Sequence, residues 1–386
     1  MAQKEGYWDF DEYIVASEPH KRERAEAWKV AIGLQAVDGL QVSDYLKQTA
    51  RRHIEGEITI DEVRELVKQY YVSKTLHDED EEEKAEADNV SGNIAKLIVS
   101  PSFTFSAAGL MAIHRAIFDG IFKHAGKLRT CDITKNEWVL RGDTVLYGRW
   151  EDLRLTLDYD IEQEKRFDYK GLPLSEVVEH LAKFISGIWQ IHPFREGNTR
   201  TTAVFTIKYL KSIGFEVNND MFEQHSWYFR NALVRANYKN VAKGISQESS
   251  FLIRFFRNLL MGEQNELKNR YMLVNPPEEW EDFTGTGQVQ DKLGTSARQA
   301  KDILLSDDPN IEKLVSVVGP LQMSVKQMME AIGLKGRDNF LNLYLNPSIS
   351  GGFIRLLYPE SPRHPRQKYL LTVRGLALYN ELQQEK

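Results

Sequence analysis

Nine consecutive residues near the middle of the chain combine a base, an acid, a flexible turn and a cation: His192-Pro193-Phe194-Arg195-Glu196-Gly197-Asn198-Thr199-Arg200. His192 can be a neutral base near pH 7, because the ordinary pKa of histidine is about 6.5. Glu196 offers the hard oxygens that Mg²⁺ prefers, and Arg200 offers a fork of donors that matches phosphate. Gly197 allows a tight turn whose N–H groups can hold phosphate oxygens at a helix N-terminus. The stretch therefore indicates chemistry on a phosphate-containing substrate.

Two predicted helices position this stretch. Apolar residues recur with helical period over residues 177–189, and Ser175 is the expected N-cap of that helix. Pro193 disfavours a helical backbone at the residue before it. The helix should therefore end at His192 and hold the imidazole at its C-terminus. A second apolar helix is predicted over residues 201–214, closed by its terminal glycine.

The same nine residues resemble the active-site signature of the Fic family, H-P-F-x-[D/E]-G-N-x-R, and match it at every fixed position. The resemblance implies that His192 takes the proton from a target hydroxyl while that oxygen attacks the α-phosphorus of ATP. It also implies that Glu196 holds Mg²⁺ and that Arg200 grips the β- and γ-phosphates, which leave as pyrophosphate. Four further residues are then expected to contact the nucleotide: Arg195, Gly197, Asn198 and Thr199. The family often has glycine or lysine where Thr199 stands.

The function implied by the resemblance is that of a protein adenylyltransferase. Such an enzyme transfers AMP from ATP to a Ser, Thr or Tyr hydroxyl of a target protein, and auto-modification is expected. Homo-oligomers are common among Fic proteins, so one is expected by resemblance. Two alternatives stay open: transfer of another phosphate-containing group, or an inactive Fic scaffold that acts as a winged-helix regulator. The presence of His192, Glu196, Asn198 and Arg200 together argues against the inactive scaffold.

A predicted β-hairpin precedes the signature. The strands are expected at residues 138–140 and 144–147, on either side of the turn Arg141-Gly142-Asp143. In Fic proteins a hairpin in this place, the flap, pairs with the target chain, and added strands of this kind gain affinity through backbone hydrogen bonds. The expected target-binding residues are Thr144, Val145, Leu146 and Tyr147. A hairpin with only a structural role is the alternative.

A helix predicted over residues 228–237 follows the signature. Fic proteins use a helix in this place to hold the adenosine, often with an asparagine where Asn237 falls. The resemblance therefore makes Asn237 and Arg230 candidate nucleotide contacts. An asparagine or arginine exposed on a helix surface, without any contact to a nucleotide, is the alternative.

An N-terminal segment resembles the antitoxin-like inhibitory module of some Fic proteins. There the pattern [S/T]-x-x-x-E-[G/N] sends a glutamate to the final arginine of the signature and blocks the γ-phosphate site. In this chain Asp38-Gly39 falls where Glu-Gly is expected, one methylene short, and Leu34 replaces the hydroxyl residue. A register shifted by three residues places the neutral amide of Gln35 there instead. We therefore expect weak or absent self-inhibition, with a helical bundle unrelated to regulation as the alternative.

Composition and the positions of proline and glycine predict that the chain is divided into four stretches. Residues 1–75 form a small helical unit, residues 88–270 the main helical domain with the signature, residues 271–300 a linker rich in proline and glycine, and residues 301–386 a separate unit. The predicted fold class is mainly α. It comprises a Fic-type helical bundle with a β-hairpin flap, a small N-terminal helical unit and a C-terminal winged helix.

The C-terminal unit is predicted from the order of its elements. Helices are expected over residues 311–317, 324–332 and 338–345, and strands over residues 353–357 and 368–372. This is a winged-helix order, and similar units end many bacterial Fic proteins. From residue 311 onward the chain contains ten Lys and Arg and six Asp and Glu, which gives a net charge of +4. The remainder of the chain carries −10. This polarity permits DNA contact through Arg363, Arg366 and Lys368, but it is mild, and we favour a role in protein contact or dimerisation.

Overall composition restricts the class of protein further. A hydrophobic content of 42% is ordinary for a soluble chain, and the net charge of −6 argues against general nucleic-acid binding by the whole chain. The single cysteine, Cys131, excludes an internal disulfide framework and fits a reducing compartment. No stretch approaches 18 apolar residues, and no apolar leader opens the sequence. These features predict a cytoplasmic protein without a membrane segment.

Overall fold

The computed structural model describes residues 10, 13, 18–74, 79–217, 220–275, 308–362, 364 and 366–384, without the side chains of Glu79, Glu381 and Gln384. Over this part of the chain the fold is mainly helical, as predicted. The helices are α1 (Pro19–Gly33), α2 (Asp44–Glu55), α3 (Ile60–Ser73), α4 (Glu79–Val99), α5 (Ala107–Ile117), α6 (Leu153–Arg166), α7 (Leu174–Ile191), α8 (Asn198–Ser212), α9 (Asp220–Gln224), α10 (Ser226–Asn237), α11 (Ser250–Met261), α12 (Pro309–Val318), α13 (Val325–Ile332), α14 (Arg337–Phe340), α15 (Asn346–Ser350) and α16 (Val373–Gln384). Among the described residues, no helix has the length and apolar character needed to cross a membrane.

The N-terminal helices share one hydrophobic core with the helices that carry the signature. Trp28 and Leu34 are fully buried in a cluster that also includes the apolar residues of α7 and α8. At the end of α1 the backbone approaches α9 so closely that a Cβ on Gly33 would lie 2.4 Å from the Cα of Glu223. The hydroxyl of Ser226 donates to the carbonyl of Gly33 at 2.7 Å. The end of α1 is therefore anchored against α9 and α10.

The two helices around the signature differ from the prediction at their first residues. Helix α7 begins at Leu174, so the predicted N-cap at Ser175 is wrong. Leu174 is itself buried, and Pro173, which has no N–H to satisfy, can stand before the first turn. The helix ends at His192, as expected. Helix α8 begins three residues earlier than predicted, because the left-handed turn at Gly197 leads directly into it.

A buried polar network joins α6, α7 and α8. The carboxylate of Glu164, 5% exposed, accepts hydrogen bonds from the hydroxyls of Tyr169 and Tyr209, the latter at 2.5 Å. Its second oxygen lies 2.6 Å from Nε2 of His180. Burial raises the pKa of both tyrosines, so their hydroxyls remain donors across the accessible pH range. The network thus satisfies several buried polar groups at once.

Removal of the shared acceptor should destabilise the fold. We expect Glu164→Ala to lower the free energy of unfolding by about 3 kcal/mol, because two buried hydroxyls lose their partner. Urea unfolding followed by circular dichroism measures the change. Glu162→Ala on the exposed side of the same helix is the control, and we expect it to change stability by at most about 0.5 kcal/mol. Equal effects of the two substitutions would contradict a structural role for the network.

The predicted β-hairpin before the signature is wrong in its secondary structure. Residues 138–140 form a 3-10 turn, and residues 144–147 form no strand. Val139 and Leu140 are both buried, whereas a half-buried strand would expose one of two successive residues. The amide of Val274 donates to the carbonyl of Val139 at 2.8 Å and takes the place of a strand partner. The segment is an irregular loop, and we call residues 135–148 the flap loop.

The C-terminal unit has the predicted order of elements. Helices α12 and α13 precede α14, a π-helical turn at Leu341–Leu345 and α15. Strand β1 (Ile354–Leu356) then pairs antiparallel with β2 (Tyr369–Leu371), and α16 follows. The unit has its own hydrophobic cluster. The predicted linker residues 276–300 and the predicted DNA contact Arg363 lie outside the described residues.

This unit packs closely against the rest of the fold. A Cβ on Gly214, after α8, would lie 2.3 Å from the carbonyl oxygen of Gly352, so two backbones meet with no room for a side chain. The amide of Asn380 on α16 donates to the carbonyl of Leu172 at 3.1 Å. Ala377 on the same helix is buried in the main core. The predicted boundaries of the four stretches stay a prediction.

Candidate active site

His192 lies at the end of α7 in a left-handed conformation, with φ of 50°. Its side chain is 2% exposed, and Nδ1 lies 3.3 Å from the carbonyl oxygen of Trp189. Since a carbonyl can only accept, that contact favours a proton on Nδ1 and leaves a lone pair on Nε2. Nε2 is buried and has no hydrogen-bond partner among the described residues. The imidazole is therefore oriented with a free acceptor nitrogen.

The pKa of His192 lies well below 6.5. The first cause is burial, and the second is the nearby positive charge of Lys135. Both disfavour imidazolium, and together they outweigh the small stabilisation of a cation expected at a helix C-terminus. The side chain is therefore a neutral base at neutral pH.

Arg129 holds the unusual backbone of His192. The Arg129 amide donates to the carbonyl of Pro193 at 2.9 Å, and its Nε donates to the carbonyl of His192 at 2.9 Å. One of its terminal nitrogens donates to the carbonyl of Gly148 in the flap loop. The Arg129 side chain is buried. A left-handed conformation is costly for a non-glycine residue, and these bonds stabilise it.

The turn between the two helices is built around Gly197. Its φ is 69°, and a Cβ there would lie 2.1 Å from the ring of Phe118, so only glycine fits. The side chain of Asn198 closes the turn, because its oxygen accepts from the amide of Phe194 at 2.9 Å and its nitrogen donates to the carbonyl of Phe194 at 2.8 Å. The hydroxyl of Thr199 accepts from Nε1 of Trp189 at 2.9 Å. Both predicted nucleotide contacts thus use their side chains to hold the turn, and their backbone N–H groups face the site as the unsatisfied first turn of a helix.

His114 supports this turn from below, a role that the sequence did not indicate. It is fully buried and stacks on Phe194 with 3.8 Å between ring centroids. Its Nδ1 accepts from the amide of Gly126 at 2.8 Å, so Nε2 carries the proton and donates to the carbonyl of Glu196 at 3.1 Å. Burial lowers its pKa to about 4. A lone histidine with no ligand spacing offers no sequence signal for such a contact.

Glu196 and Arg195 are the exposed members of the signature. The carboxylate of Glu196 forms no ion pair with a described residue. The described residues contain no group of three or more His, Cys, Asp or Glu that could hold a metal ion. A single carboxylate suits Mg²⁺ when phosphate oxygens and water supply the other ligands. Glu196 is therefore suited to a metal that arrives with a nucleotide.

Arg200 is buried and surrounded by acceptors from two other parts of the chain. Its Nε lies 2.8 Å from a carboxylate oxygen of Asp38, as an ion pair. One terminal nitrogen donates to the side-chain oxygen of Gln35 at 3.1 Å, and the other donates to Glu86 on α4 at 2.8 Å. The guanidinium also lies over the ring of Phe118, 4.9 Å from its centroid. Both candidate inhibitory positions, Gln35 and Asp38, therefore contact the same arginine, and Glu86 adds a carboxylate that the sequence did not indicate.

Asp38 also contacts Arg230, which connects the N-terminal segment to the flap loop. The second carboxylate oxygen of Asp38 lies 3.3 Å from Arg230, and another nitrogen of Arg230 lies 3.0 Å from Glu137. Glu137 is 2% exposed and accepts from the hydroxyl of Tyr147 at 3.0 Å. The ring of Tyr147 lies 4.1 Å from that of His192. A continuous set of contacts thus leads from Asp38 to the cover of His192. Gly39, the third predicted inhibitory residue, ends the 3-10 turn Leu34–Asp38 with φ of 77°.

The residues predicted to contact the target or the adenosine differ in their exposure and in their hydrogen bonds. Of the flap residues, Leu146 is 86% exposed, while Val145 and Tyr147 are buried. The hydroxyl of Thr144 accepts from the amide of Lys135 at 3.2 Å. The amide of Asn237 donates to Ser186 and Leu233, so it fastens α10 to α7. Roles in target and nucleotide binding stay predictions for these residues.

Two family profiles match the chain. The profile of the Fic/DOC family matches residues 104–210, which contain the whole signature. The profile described as filamentation induced by cAMP protein Fic-like, C-terminal domain, matches residues 309–372. Residues 104–210 are therefore a Fic domain, and residues 309–372 are a Fic-like C-terminal domain.

Curated relatives are named protein adenylyltransferases. Protein adenylyltransferase VbhT of Bartonella schoenbuchensis is 28% identical over 160 residues, which cover 42% of this chain and 30% of the relative. Probable protein adenylyltransferase Fic of Escherichia coli is 30% identical over 120 residues, which cover 31% of this chain and 56% of the relative. This chain thus spans about a third to about half of the length of these relatives, and their activities do not pass to it by similarity alone.

Solved Fic structures also resemble this chain. The crystal structure of a Fic family protein from Desulfovibrio desulfuricans covers 94% of this chain and 90% of that chain, at 15% identity and a TM-score of 0.41. Because the identity and the score are low, the assignment of the two domains depends on the sequence profiles.

Tyr147 should control access to His192. We expect Tyr147→Ala to speed the modification of His192 by diethylpyrocarbonate several-fold, because the ring that covers the neutral imidazole is removed. Peptide mapping by mass spectrometry measures the rate at this histidine alone. Tyr159→Ala is the control, since Tyr159 is 61% exposed on α6. An unchanged rate at His192 in Tyr147→Ala would show that other groups shield the base.

Proposed function

We propose that this chain is a protein adenylyltransferase that transfers AMP from ATP to a hydroxyl of a target protein. The observation that carries the proposal is the free Nε2 of His192, a buried neutral base beside the first turn of α8. A base of this kind accepts a proton only from a group that enters the site. The N–H groups at the N-terminus of α8, which lack partners within the helix, favour phosphate oxygens. The names of the curated relatives support the same reaction class.

The proposed step balances on the residues of the site. The hydroxyl oxygen of the target forms a bond to the α-phosphorus, and its proton moves to Nε2 of His192. The bond from the α-phosphorus to the bridging oxygen breaks, and pyrophosphate leaves with that electron pair. Arg129 keeps the imidazole in place through the carbonyl of His192, so the base loses little orientational freedom.

The backbone of the turn and Arg200 would stabilise the negative charge of the phosphates. The N–H groups from Gly197 onward offer donors that need no rearrangement, because Asn198 and His114 already hold the turn. Glu196 would hold Mg²⁺, which would neutralise phosphate charge when bound. Arg200 can pair with the β- and γ-phosphates once its present acceptors leave.

The contacts of Arg200 favour a self-restrained enzyme, in contrast to the weak inhibition expected from the sequence. Asp38 and Gln35 occupy two of its nitrogens, and Asp38 also holds Arg230. A phosphate group would compete with the carboxylate of Asp38 for the same guanidinium. The shorter aspartate therefore serves in place of the glutamate of the family pattern.

Labelled ATP tests the reaction. We expect α-phosphate label on protein with Mg²⁺ and cell lysate, and none with His192→Ala, because the proton acceptor is lost. His20→Ala, an exposed histidine on α1, is the control and should transfer normally. Label from the γ-phosphate alone would identify a phosphotransferase. Nucleotide binding without transfer, even with Asp38→Ala, would favour the inactive scaffold.

Asp38→Ala tests the restraint. The ion pair of Asp38 with the buried Arg200 should contribute about 1.5–3 kcal/mol, the range of charge-assisted contacts, so we expect transfer at low ATP to rise about tenfold to a hundredfold. The initial rate of α-label transfer measures the effect, and Asp119→Ala, at an exposed position after α5, is the control. Point substitution is preferable to deletion of residues 1–75, because Trp28 and Leu34 belong to the common core. Unchanged transfer in Asp38→Ala, in a protein that is otherwise active, would contradict the restraint.

A further inference from the structure

The C-terminal unit carries an exposed polar surface that the proposed function does not use. Helix α14, the π-helical turn and α15 form one continuous helical segment, residues 337–350. Its inner side is buried through Phe340, Leu345 and Ser348. Its outer side presents Asn339, Asn342 and Asn346, and we call this side of the segment the asparagine face.

Three asparagines define this face: Asn339, Asn342 and Asn346. All three are exposed, and their side-chain amides form no hydrogen bond with a described residue. Leu343, 52% exposed, is the large apolar side chain among them. Each amide offers a donor and an acceptor side by side. The face therefore suits a partner that presents paired donors and acceptors.

Exposed cations come before and after the asparagines along the chain, and Asp338 is the exposed acid among them. Lys335 and Arg337 stand at the start of the helical segment, while Arg355, Arg366 and Lys368 belong to the sheet and its connecting turn. All five are exposed, and none forms an ion pair with a described residue. On α6, by contrast, exposed cations pair with neighbouring acids, as Arg154 does with Asp158 at 2.7 Å. These five cations of the C-terminal unit are thus free to neutralise an external anion.

Gln367, which lies between two of these cations, is anchored to the residue Tyr358. The side chain of Gln367 accepts from the amide of Tyr358 and donates to its carbonyl, both at 2.9 Å. This reciprocal pair closes the connection between β1 and β2. Arg366 and Lys368 thus stand on either side of a residue that is anchored to Tyr358.

We propose that the asparagine face binds double-stranded DNA. The major groove, about 12 Å wide, admits a helix, and an asparagine amide pairs with the N6 and N7 atoms of adenine. Cations on a second element, here the sheet, can contact the phosphate backbone while a helix contacts base edges. A protein partner would need to satisfy three amides and gain little apolar area from Leu343 alone. The unpaired amides thus shift the preference from protein contact, expected from the sequence, to DNA.

Binding of a short random-sequence DNA duplex to the full chain tests the proposal by fluorescence anisotropy. We expect affinity that falls with salt, with a log–log slope of about −3 to −5 if three to five phosphates are neutralised. Lys335→Ala with Arg337→Ala should weaken binding on every sequence and make the slope shallower by about 2. Lys313→Ala, an exposed lysine on α12, is the control and should bind like the wild type.

Selection of bound sequences tests the role of the amides. We expect enrichment of adenine-containing sites, and Asn342→Ala with Asn346→Ala should lower the affinity for a selected site about fivefold to a hundredfold per asparagine contact, with little effect on random duplex. Thermal melting confirms that each variant is folded. No binding at low salt, or equal binding by all variants, would overturn the proposal. The assay needs no transfer activity, so its outcome is separate from that of the proposed function.

Discussion

The buried guanidinium of Arg200 sets the arrangement of much of this fold. A buried charge is stable only when it is paired and hydrogen-bonded. Arg200 forms ion pairs with Asp38 and Glu86 and donates hydrogen bonds to Gln35 and Glu86. Two of them lie on the 3-10 turn after α1, and the third lies on α4. Each element must therefore pack against α8 at a definite place. The close contact of Gly33 with α9 and the burial of Leu34 hold the 3-10 turn within reach of Arg200.

The same charges connect the proposed nucleotide side of the site to the side that a target would enter in the proposed reaction. Asp38 lies between Arg200 and Arg230, and Arg230 also pairs with Glu137 of the flap loop. Glu137 also accepts a hydrogen bond from the hydroxyl of Tyr147, and the ring of Tyr147 covers His192. An anion that replaced Asp38 would remove one of the two carboxylates on Arg230. The segment after α1 can thus influence both phosphate binding and access to the base, without any large movement of helices.

The base itself is prepared by burial. Water is excluded from His192, and the nearby cations Lys135 and Arg230 add to the burial in lowering its pKa. Arg129 and the carbonyl of Trp189 fix the ring, while His114 and Asn198 fix the adjacent turn. The side chains of these residues do not react in the proposed step, yet they determine where the lone pair of Nε2 and the N–H groups of α8 lie. Such preorganisation is the main means by which a protein stabilises a charged transition state.

The sequence alone determined the helical class, the end of α7 at His192 and the turn at Gly197. These features depend on local rules: helical periodicity, the restriction before Pro193 and the freedom of glycine at positive φ. The tertiary structure decided the form of the flap loop, because Val139 pairs with Val274, a residue distant in sequence, instead of with a neighbouring strand. It also decided the partners of Arg200. Asp38 is one methylene shorter than the glutamate of the family pattern. Whether its carboxylate contacts Arg200 depends on how closely α1 approaches α8. That approach is set by the packing of the whole core, which no short segment of sequence contains.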